Sequence, residues 1–352
     1  MKAKKRILVA PLDWGIGHAT RCIPIIKELI KHNYEVILAA DSRPLHLLST
    51  EFPQLEIIRF EGYNIKYPKF IPMELSMLLQ TPKLLWNIKK ENTGLAEIIK
   101  DYNIDGVISD NRFGLYTNKI PCVFITHQLE IQSPYFAESI RNFNYKYINK
   151  YSACWVMDDE KLNLAGNLSK PNTLLNNTIY VGIQSRFEKQ ETEKKYDFLA
   201  IVSGPEPQRT ILEKGLINAL KDRTENSLIV LGKPELNTSE QLGNLTVKSH
   251  LNAKDLNTAI AQSELIICRP GYSTVMDLAA LEKKAIFIPT PGQTEQEYLA
   301  DKFRNSRTCY AQNQSDFNFE EALKQSKSYK GFETITPEPS NWATLFQIFN
   351  KE

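Results

Sequence analysis

The chain is poor in cysteine: five residues in 352, an odd number, with no two spaced as C-x-x-C. That argues against a disulfide framework or a cysteine metal cluster and makes a reducing, cytoplasmic compartment the expectation. Long apolar runs are absent too. No stretch reaches the 18 residues that a membrane span needs. The basic N-terminus, Met1 to Arg6, is followed only by the short run Ile7–Leu12, which does not amount to a signal sequence. Net charge is small: 43 Lys and Arg against 41 Asp and Glu leave +2, which argues against a nucleic-acid binder. The charge is uneven, about +5 over residues 1–150 and −3 over the rest, so the first half is the side expected to face an anionic partner. No Asp-x-Asp tripeptide occurs, and no metal site is expected.

What the chain does have is 42% hydrophobic residues in short, regularly spaced runs. Ile7–Leu12, Glu35–Ala40, Leu55–Phe60, Asp105–Ser109, Cys122–Thr126, Ala153–Met157 and Thr178–Val181 read as strands. Apolar residues at helical spacing over Ala19–His32 and Leu84–Tyr102 read as helices between them. The charged stretch 185–196 lacks that periodicity and reads as a linker. The alternation then resumes, with strands at Phe198–Val202, Leu228–Leu231, Leu245–Val247, Leu265–Cys268 and Ala285–Ile288. Helices are expected at Arg209–Lys221, Ala253–Gln262, Thr274–Leu281 and Glu295–Phe303. Such alternation implies α/β architecture: two doubly wound, mostly parallel sheets, with a ligand cleft at their strand ends. The expected domains are 1–184 and 197–339. A C-terminal segment, 340–352, starts with Ser340 as the expected cap, carries Trp342, Leu345, Phe346 and Phe349 at helical spacing and needs an apolar surface to cover.

Two motifs carry chemistry. Gly15-Ile16-Gly17-His18-Ala19-Thr20-Arg21 follows the first strand directly. Glycines there permit a sharp turn and a close ligand approach, and the next helix offers N–H groups. His18 at that turn suits a general base, and the helix N-terminus is expected to lower its pKa by opposing the cation. Asp110 and His127, each at a strand C-terminus, are alternative bases or orienting groups, and Arg21 reads more readily as a packing or pairing residue. The second motif runs Cys268-Arg269-Pro270-Gly271-Tyr272-Ser273-Thr274-Val275-Met276-Asp277, then a strand, then Gln296-Glu297 at the start of another helix. Ser273 or Thr274 is expected to cap the helix, whose N-terminus would meet a diphosphate, while Asp277 accepts ribose hydroxyls and Gln296 and Glu297 meet sugar hydroxyls.

Together these motifs resemble the family 28 glycosyltransferases of GT-B fold. Peptidoglycan N-acetylglucosamine transferases and plant diacylglycerol galactosyltransferases are the best-known members. The resemblance is specific at residues 13–21 and 264–301. It implies a first domain (1–184) that holds the acceptor and the base His18, with Gly15 and Gly17 in the glycine loop. It implies a second domain (197–339) that holds a UDP-sugar, and a terminal helix that crosses back to the first. Asp277 then matches a ribose-binding acidic residue, Gln296 and Glu297 a Gln-Gln pair, and Leu251 a residue whose backbone reads uracil. Three departures stand out: Asp for Glu at 277, Glu for Gln at 297, and a loop Ser203-Gly204-Pro205-Glu206-Pro207 whose prolines supply no N–H. Phosphate contact would then fall to Ser203, Gly204, Arg209 or Arg269. The implied activity is an inverting, metal-independent transfer from a UDP-sugar to an acceptor hydroxyl, with no cofactor. The acceptor is a lipid or a small molecule. The alternatives are a UDP-sugar hydrolase on the same scaffold and a non-catalytic nucleotide-sugar-binding subunit. Residues 62–92 combine Trp86, Tyr63, Tyr67 and many aliphatic residues with five lysines. That composition suits contact with lipid headgroups at the inner face of a membrane, or alternatively a helix packed on the sheet with solvated lysines.

Overall fold

The structure, a computed structural model, describes residues 4–13, 16–63, 73–131, 137–171, 175–333, 335 and 338–350; for 73–80 only the backbone is described. The chain divides into two compact units, Met1–Arg186 with Glu338–Glu352, and Phe187–Pro337.

The first unit alternates β1 (Arg6–Pro11), α1 (Ile16–Lys31), β2 (Glu35–Ala40), α2 (Ser42–Glu51), β3 (Glu56–Arg59), α3 (Met73–Tyr102), β4 (Gly106–Asp110), β5 (Cys122–Thr126), α4 (Ala137–Ile148), β6 (Ala153–Val156) and β7 (Thr178–Tyr180). The sheet order is β3-β2-β1-β4-β5-β6-β7, and every pairing is parallel. Strands buried on both faces must be apolar along their whole length. Accordingly Ile7, Leu8, Val9 and Ala10 have no exposed surface. The edge strand β3 is buried at none of its four residues. α3 is longer than the periodicity indicates, starting at Met73 and passing Pro82.

The second unit holds β8 (Tyr196–Ile201), α5 (Gln208–Leu220), β9 (Ser227–Val230), β10 (Ser239–Leu242), β11 (Leu245–Lys248), α6 (Ala253–Ala261), β12 (Ser263–Cys268), α7 (Tyr272–Ala280), β13 (Lys284–Phe287), α8 (Thr294–Asn305), β14 (Tyr310–Ala311) and α9 (Phe319–Ser326). Its order is β10-β11-β9-β8-β12-β13-β14, parallel except for the β10–β11 hairpin. Residues 187–195 are held to this unit: Lys189 pairs with Glu282, and the Lys195 N–H donates to Gln262 O at 2.9 Å.

The chain then returns to the first unit as α10 (Trp342–Leu345) and a 3-10 turn at Phe346–Asn350. Asn341, not Ser340, caps α10, its side chain accepting from Thr344 N–H. Ser340 instead donates to Val181 O. Trp342, Phe346 and Phe349 surround the fully buried Trp155 at ring separations of 6.0–6.2 Å. Gly106 makes room for this packing, since a Cβ there would lie 2.5 Å from a ring carbon of Phe349.

Candidate functional site

In an open parallel sheet, ligands gather beyond the strand C-termini where the strand order reverses. In the first unit that point lies between β1 and β4, and the side chains there form one connected cluster. His18 stands in the first turn of α1, Asp110 ends β4, and His127 follows β5. Register sets Asp110 beside Pro11 on one side and Ile125 on the other. His18 Nδ1 is 3.1 Å from Asp110 Oδ1. Arg21, one helical turn after His18, grips the same carboxylate with a fork: Nε donates to Oδ2 at 2.7 Å, and NH2 donates to Oδ1. Its NH1 is 2.7 Å from His127 Nδ1, and NH2 is 2.8 Å from His18 Nδ1. Cys22 completes the cluster with a thiol 3.7 Å from Asp110 Oδ2.

Burial sorts these groups. Asp110 is wholly buried, while the His18 side chain is 19% exposed. Burial opposes ionisation of Asp110, but the Arg21 guanidinium and then His18 outweigh it and hold the carboxyl down at about 2. Burial is the chief cause that lowers the His18 imidazole below its ordinary 6.5; Asp110 opposes it and Arg21 adds to it. The helix end invoked from sequence is therefore not the main cause. The Cys22 thiol is pushed up by burial and stays neutral. Arginine only donates hydrogen bonds. His127 Nδ1 therefore accepts from Arg21, and the His127 proton lies on Nε2. Of the glycine loop, Gly17 is described, and its carbonyl accepts from the Thr20 hydroxyl at 2.9 Å; Gly15 lies outside the described residues. A separate cavity of about 600 Å³ lies between the end of β3 and α3, bordered by Arg59, Phe60, Asn87 and Lys90. None of His18, Asp110 and His127 lines it.

In the second unit the expected donor residues sit on the loops and in the opening turns of the helices at the C-terminal edge, because β8, β9, β11, β12 and β13 are parallel. Leu251 lies between β11 and α6, and Asp277 lies in the second turn of α7, half-buried. Gly271 is the N-cap of α7 and contributes no side-chain bond. Ser273 and Thr274 are thus inside the helix rather than capping it, as is the buried Tyr272. A Cβ on Gly271 or on Gly292 would meet nothing within 4 Å, so open space borders both turns.

Several expected ligand-binding side chains already have partners. Arg269 is 1% exposed, and its donors go to the carbonyls of Ile288 (2.8 Å), Pro289 (2.9 Å) and Gln208 (3.2 Å), with NH2 also on the Gln314 side chain. Burial lowers it to about 10. Arg269 ties together the loops after β8 and β13 instead of reaching out for a phosphate. Arg209 donates to Glu206 (2.8 Å) and Gly232 O (3.0 Å). Gln296 Oε1 accepts from Thr290 N–H at 2.9 Å, and Glu297 Oε1 from Gly292 N–H at 2.8 Å. These two residues shape the 290–293 turn, which leaves one Glu297 oxygen and the Gln296 amide nitrogen outside those bonds. Ser203 and Gly204 are exposed, with Gly204 at φ +108°. A Cβ on Gly204 would lie 3.3 Å from Thr290 Oγ1, a buried hydroxyl oxygen without a partner among the described residues. Sequence reasoning had singled out neither Thr290 nor the central position of Arg21. Among the described residues no group of three or more His, Cys, Asp or Glu is arranged to hold a metal ion, and no helix is long and apolar enough to cross a membrane.

Residues 209–331 match the glycosyltransferase family 28 C-terminal domain. The chain is 23% identical over 317 residues to the UDP-N-acetylglucosamine–N-acetylmuramyl-(pentapeptide) pyrophosphoryl-undecaprenol N-acetylglucosamine transferase of Actinobacillus pleuropneumoniae, covering 84% of this chain and 81% of the relative. It is 21% identical over 326 residues to an uncharacterized glycosyltransferase of Methanosarcina acetivorans, covering 83% and 81%. Among solved structures, the calicheamicin glycosyltransferase CalG4 superposes with a TM-score of 0.65 at 12% identity, covering 95% and 94%. MurG of Acinetobacter baumannii gives 0.60 at 15% identity, covering 99% and 100%. Both neighbours share the fold.

Proposed function

We propose that this chain, a glycosyltransferase of the GT-B fold and of the family 28 kind, transfers a sugar from a UDP-sugar to an acceptor hydroxyl, with inversion and without a metal ion. The observation that carries the reading is the contact of His18 with Asp110 at the strand-order reversal of the first sheet. His18 Nδ1 faces an acceptor, Asp110 Oδ1 at 3.1 Å, and a donor, Arg21 NH2 at 2.8 Å; the tautomer the reaction would use carries its proton on Nδ1, donates to Asp110 and presents the Nε2 lone pair. That lone pair takes the acceptor hydroxyl proton as the oxygen bonds to the anomeric carbon. The bond from that carbon to the diphosphate breaks, and its electron pair leaves on UDP. One displacement inverts the anomeric carbon. Asp110 is too deeply buried to meet an acceptor. His127, holding its proton on Nε2, is a donor rather than a base.

The second unit would hold the donor. The N-terminus of α7 at Gly271 supplies partial positive charge to the diphosphate, together with the exposed turn at Ser203 and Gly204. Asp277 would accept from the ribose, and Glu297 from a sugar hydroxyl. The buried Arg269 cation, which has no carboxylate partner among the described residues, adds to the potential from beneath these loops.

The acceptor is best read as lipid-linked. Leu85 and Trp86 are exposed on α3, Lys90 lies 5.8 Å from the Trp86 ring centre, and Lys83 and Lys89 are exposed beside them. Aromatic, aliphatic and basic side chains on one stretch suit a lipid surface carrying anionic headgroups. The rest of that sequence feature, 64–72, lies outside the described residues. The name of the Actinobacillus relative, with its undecaprenol-linked substrate, supports the same class.

A thermal-shift panel of UDP, GDP, TDP and their sugars tests the donor. A ligand at 100 times its Kd should stabilise by about 2.7 kcal/mol. NMR of the product's anomeric configuration tests inversion. Stabilisation by GDP or TDP alone would overturn the choice of UDP.

A further inference from the structure

Five ionisable side chains meet at the first sheet's C-terminal edge, and one of them, Arg21, contacts three of the others. We infer that Arg21 is a positioning residue of the transfer reaction. Its guanidinium, adding to burial, keeps His18 neutral beside an ionised Asp110 and fixes the proton of His127 on Nε2. This inference rests on the reading of His18 as the base.

The argument is geometric. The spacing His18-x-x-Arg21 sets both side chains on one face of α1. From there the guanidinium spans three groups that lie 89 to 106 residues apart in sequence or one turn away. Both oxygens of Asp110 are occupied by the Arg21 fork. The pair carries no net charge, so His18 adjoins a neutral unit. An unpaired carboxylate at 3.1 Å would act differently, drawing a proton onto the imidazole and holding it there. An imidazolium cannot accept the acceptor's proton. Arg21 thus allows Asp110 to orient His18 without protonating it. On the other side, NH1 can only donate to His127, which fixes that ring's tautomer. The groups facing Arg21 from the surrounding elements are His18 and Cys22 of α1, Asp110 of β4 and His127 after β5.

The test reads the rings directly. The chain has five histidines, so long-range nitrogen–proton NMR of histidine-labelled protein can resolve each one. In the natural protein His127 should show a single tautomer, protonated on Nε2, at pH 7, and His18 should titrate below 6.5. In Arg21→Met the His18 midpoint should rise by about one pH unit or more, and His127 should become a mixture of tautomers. Arg21→Lys keeps the charge but loses the fork. It should hold the His18 midpoint near its original value while releasing His127, and it carries the test if the Met variant fails to fold. The acid limb of the rate with a UDP-sugar should follow the His18 midpoint in each variant. An unmoved His18 titration in Arg21→Met, or His127 protonated on Nδ1 in the natural protein, overturns the inference. If no UDP-sugar is turned over while the rings behave as stated, the proposed reaction fails and the role of Arg21 in the cluster stands.

Discussion

The two sheets have the same plan and treat their C-terminal edges in opposite ways. In the first unit the reversal point is filled with side chains: two imidazoles, a guanidinium, a carboxylate and a thiol, all but His18 nearly or wholly buried. In the second unit the corresponding edge is built of turns. Arg269, the one large buried cation there among the described residues, is spent on backbone carbonyls, and Gln296 and Glu297 hold backbone N–H groups. Groups that must change protonation need a tuned, desolvated setting, and the first edge provides one. A diphosphate and vicinal hydroxyls need fixed donors and acceptors, and backbone turns at a helix N-terminus provide those. The difference suits the proposed reading, with proton transfer at the first unit's edge and donor binding at the second's.

The comparison breaks most visibly at His18. His18→Ala should lower kcat by about 10²–10⁴-fold, measured with a UDP-sugar and acceptor, and leave the melting temperature within a few degrees. A variant with unchanged turnover would shift the base away from the first unit's edge. Asp110→Asn comes next. Removing one partner from a buried ion pair leaves Arg21 uncompensated, and breaking such pairs costs roughly 3–5 kcal/mol. Denaturant unfolding should show that loss. The Arg269→Met change instead removes a cation without a carboxylate partner and should destabilise the second unit's loops by less.

How much of this was legible in the sequence follows the same division. Apolar runs such as Ile7–Ala10 and Leu265–Cys268 announce strands because a parallel sheet buries both faces. The glycine motifs fall at strand ends because only there must the chain turn sharply. Asp110 and His127 could be found as polar residues closing apolar strands. Arg21 as the hub could not, since its contacts span about 90 to 106 residues and depend on strand order. Arg269 misled for a related reason. Its place beside a glycine turn suggests phosphate binding, but the carbonyls that claim it come from loops some 20 and 61 residues away. Ser340 reads as a cap, yet Asn341 takes that role, because the turn forms against Val181.

Acid should separate the two units. The folded-state values of His18 and Asp110 lie below their unfolded ones, so their contributions are present above the unfolded values and are lost as pH falls. His18 acts first, from about pH 6.5 downward. Asp110 follows between about 4 and 2, with a loss on the order of 2 kcal/mol. Hydrogen exchange followed from pH 7 to 3 should show β1, β4 and β5 losing protection before β8, β12 and β13. Simultaneous loss would remove the electrostatic distinction between the edges. The smallest expected effect is that of a chelator: excess EDTA should leave transfer unchanged if, as proposed, the helix end at Gly271 carries the leaving charge. Activity abolished by EDTA and restored by Mg²⁺ or Mn²⁺ would refute that.

The division of labour itself is tested most directly by calorimetric titration of UDP into the full chain and into two variants, His18→Ala and Asp277→Ala. The account predicts an unchanged Kd for His18→Ala and a Kd weakened by about 1.5–3 kcal/mol for Asp277→Ala, from lost charged hydrogen bonds. UDP affinity that falls with His18 and survives the loss of Asp277 would contradict it.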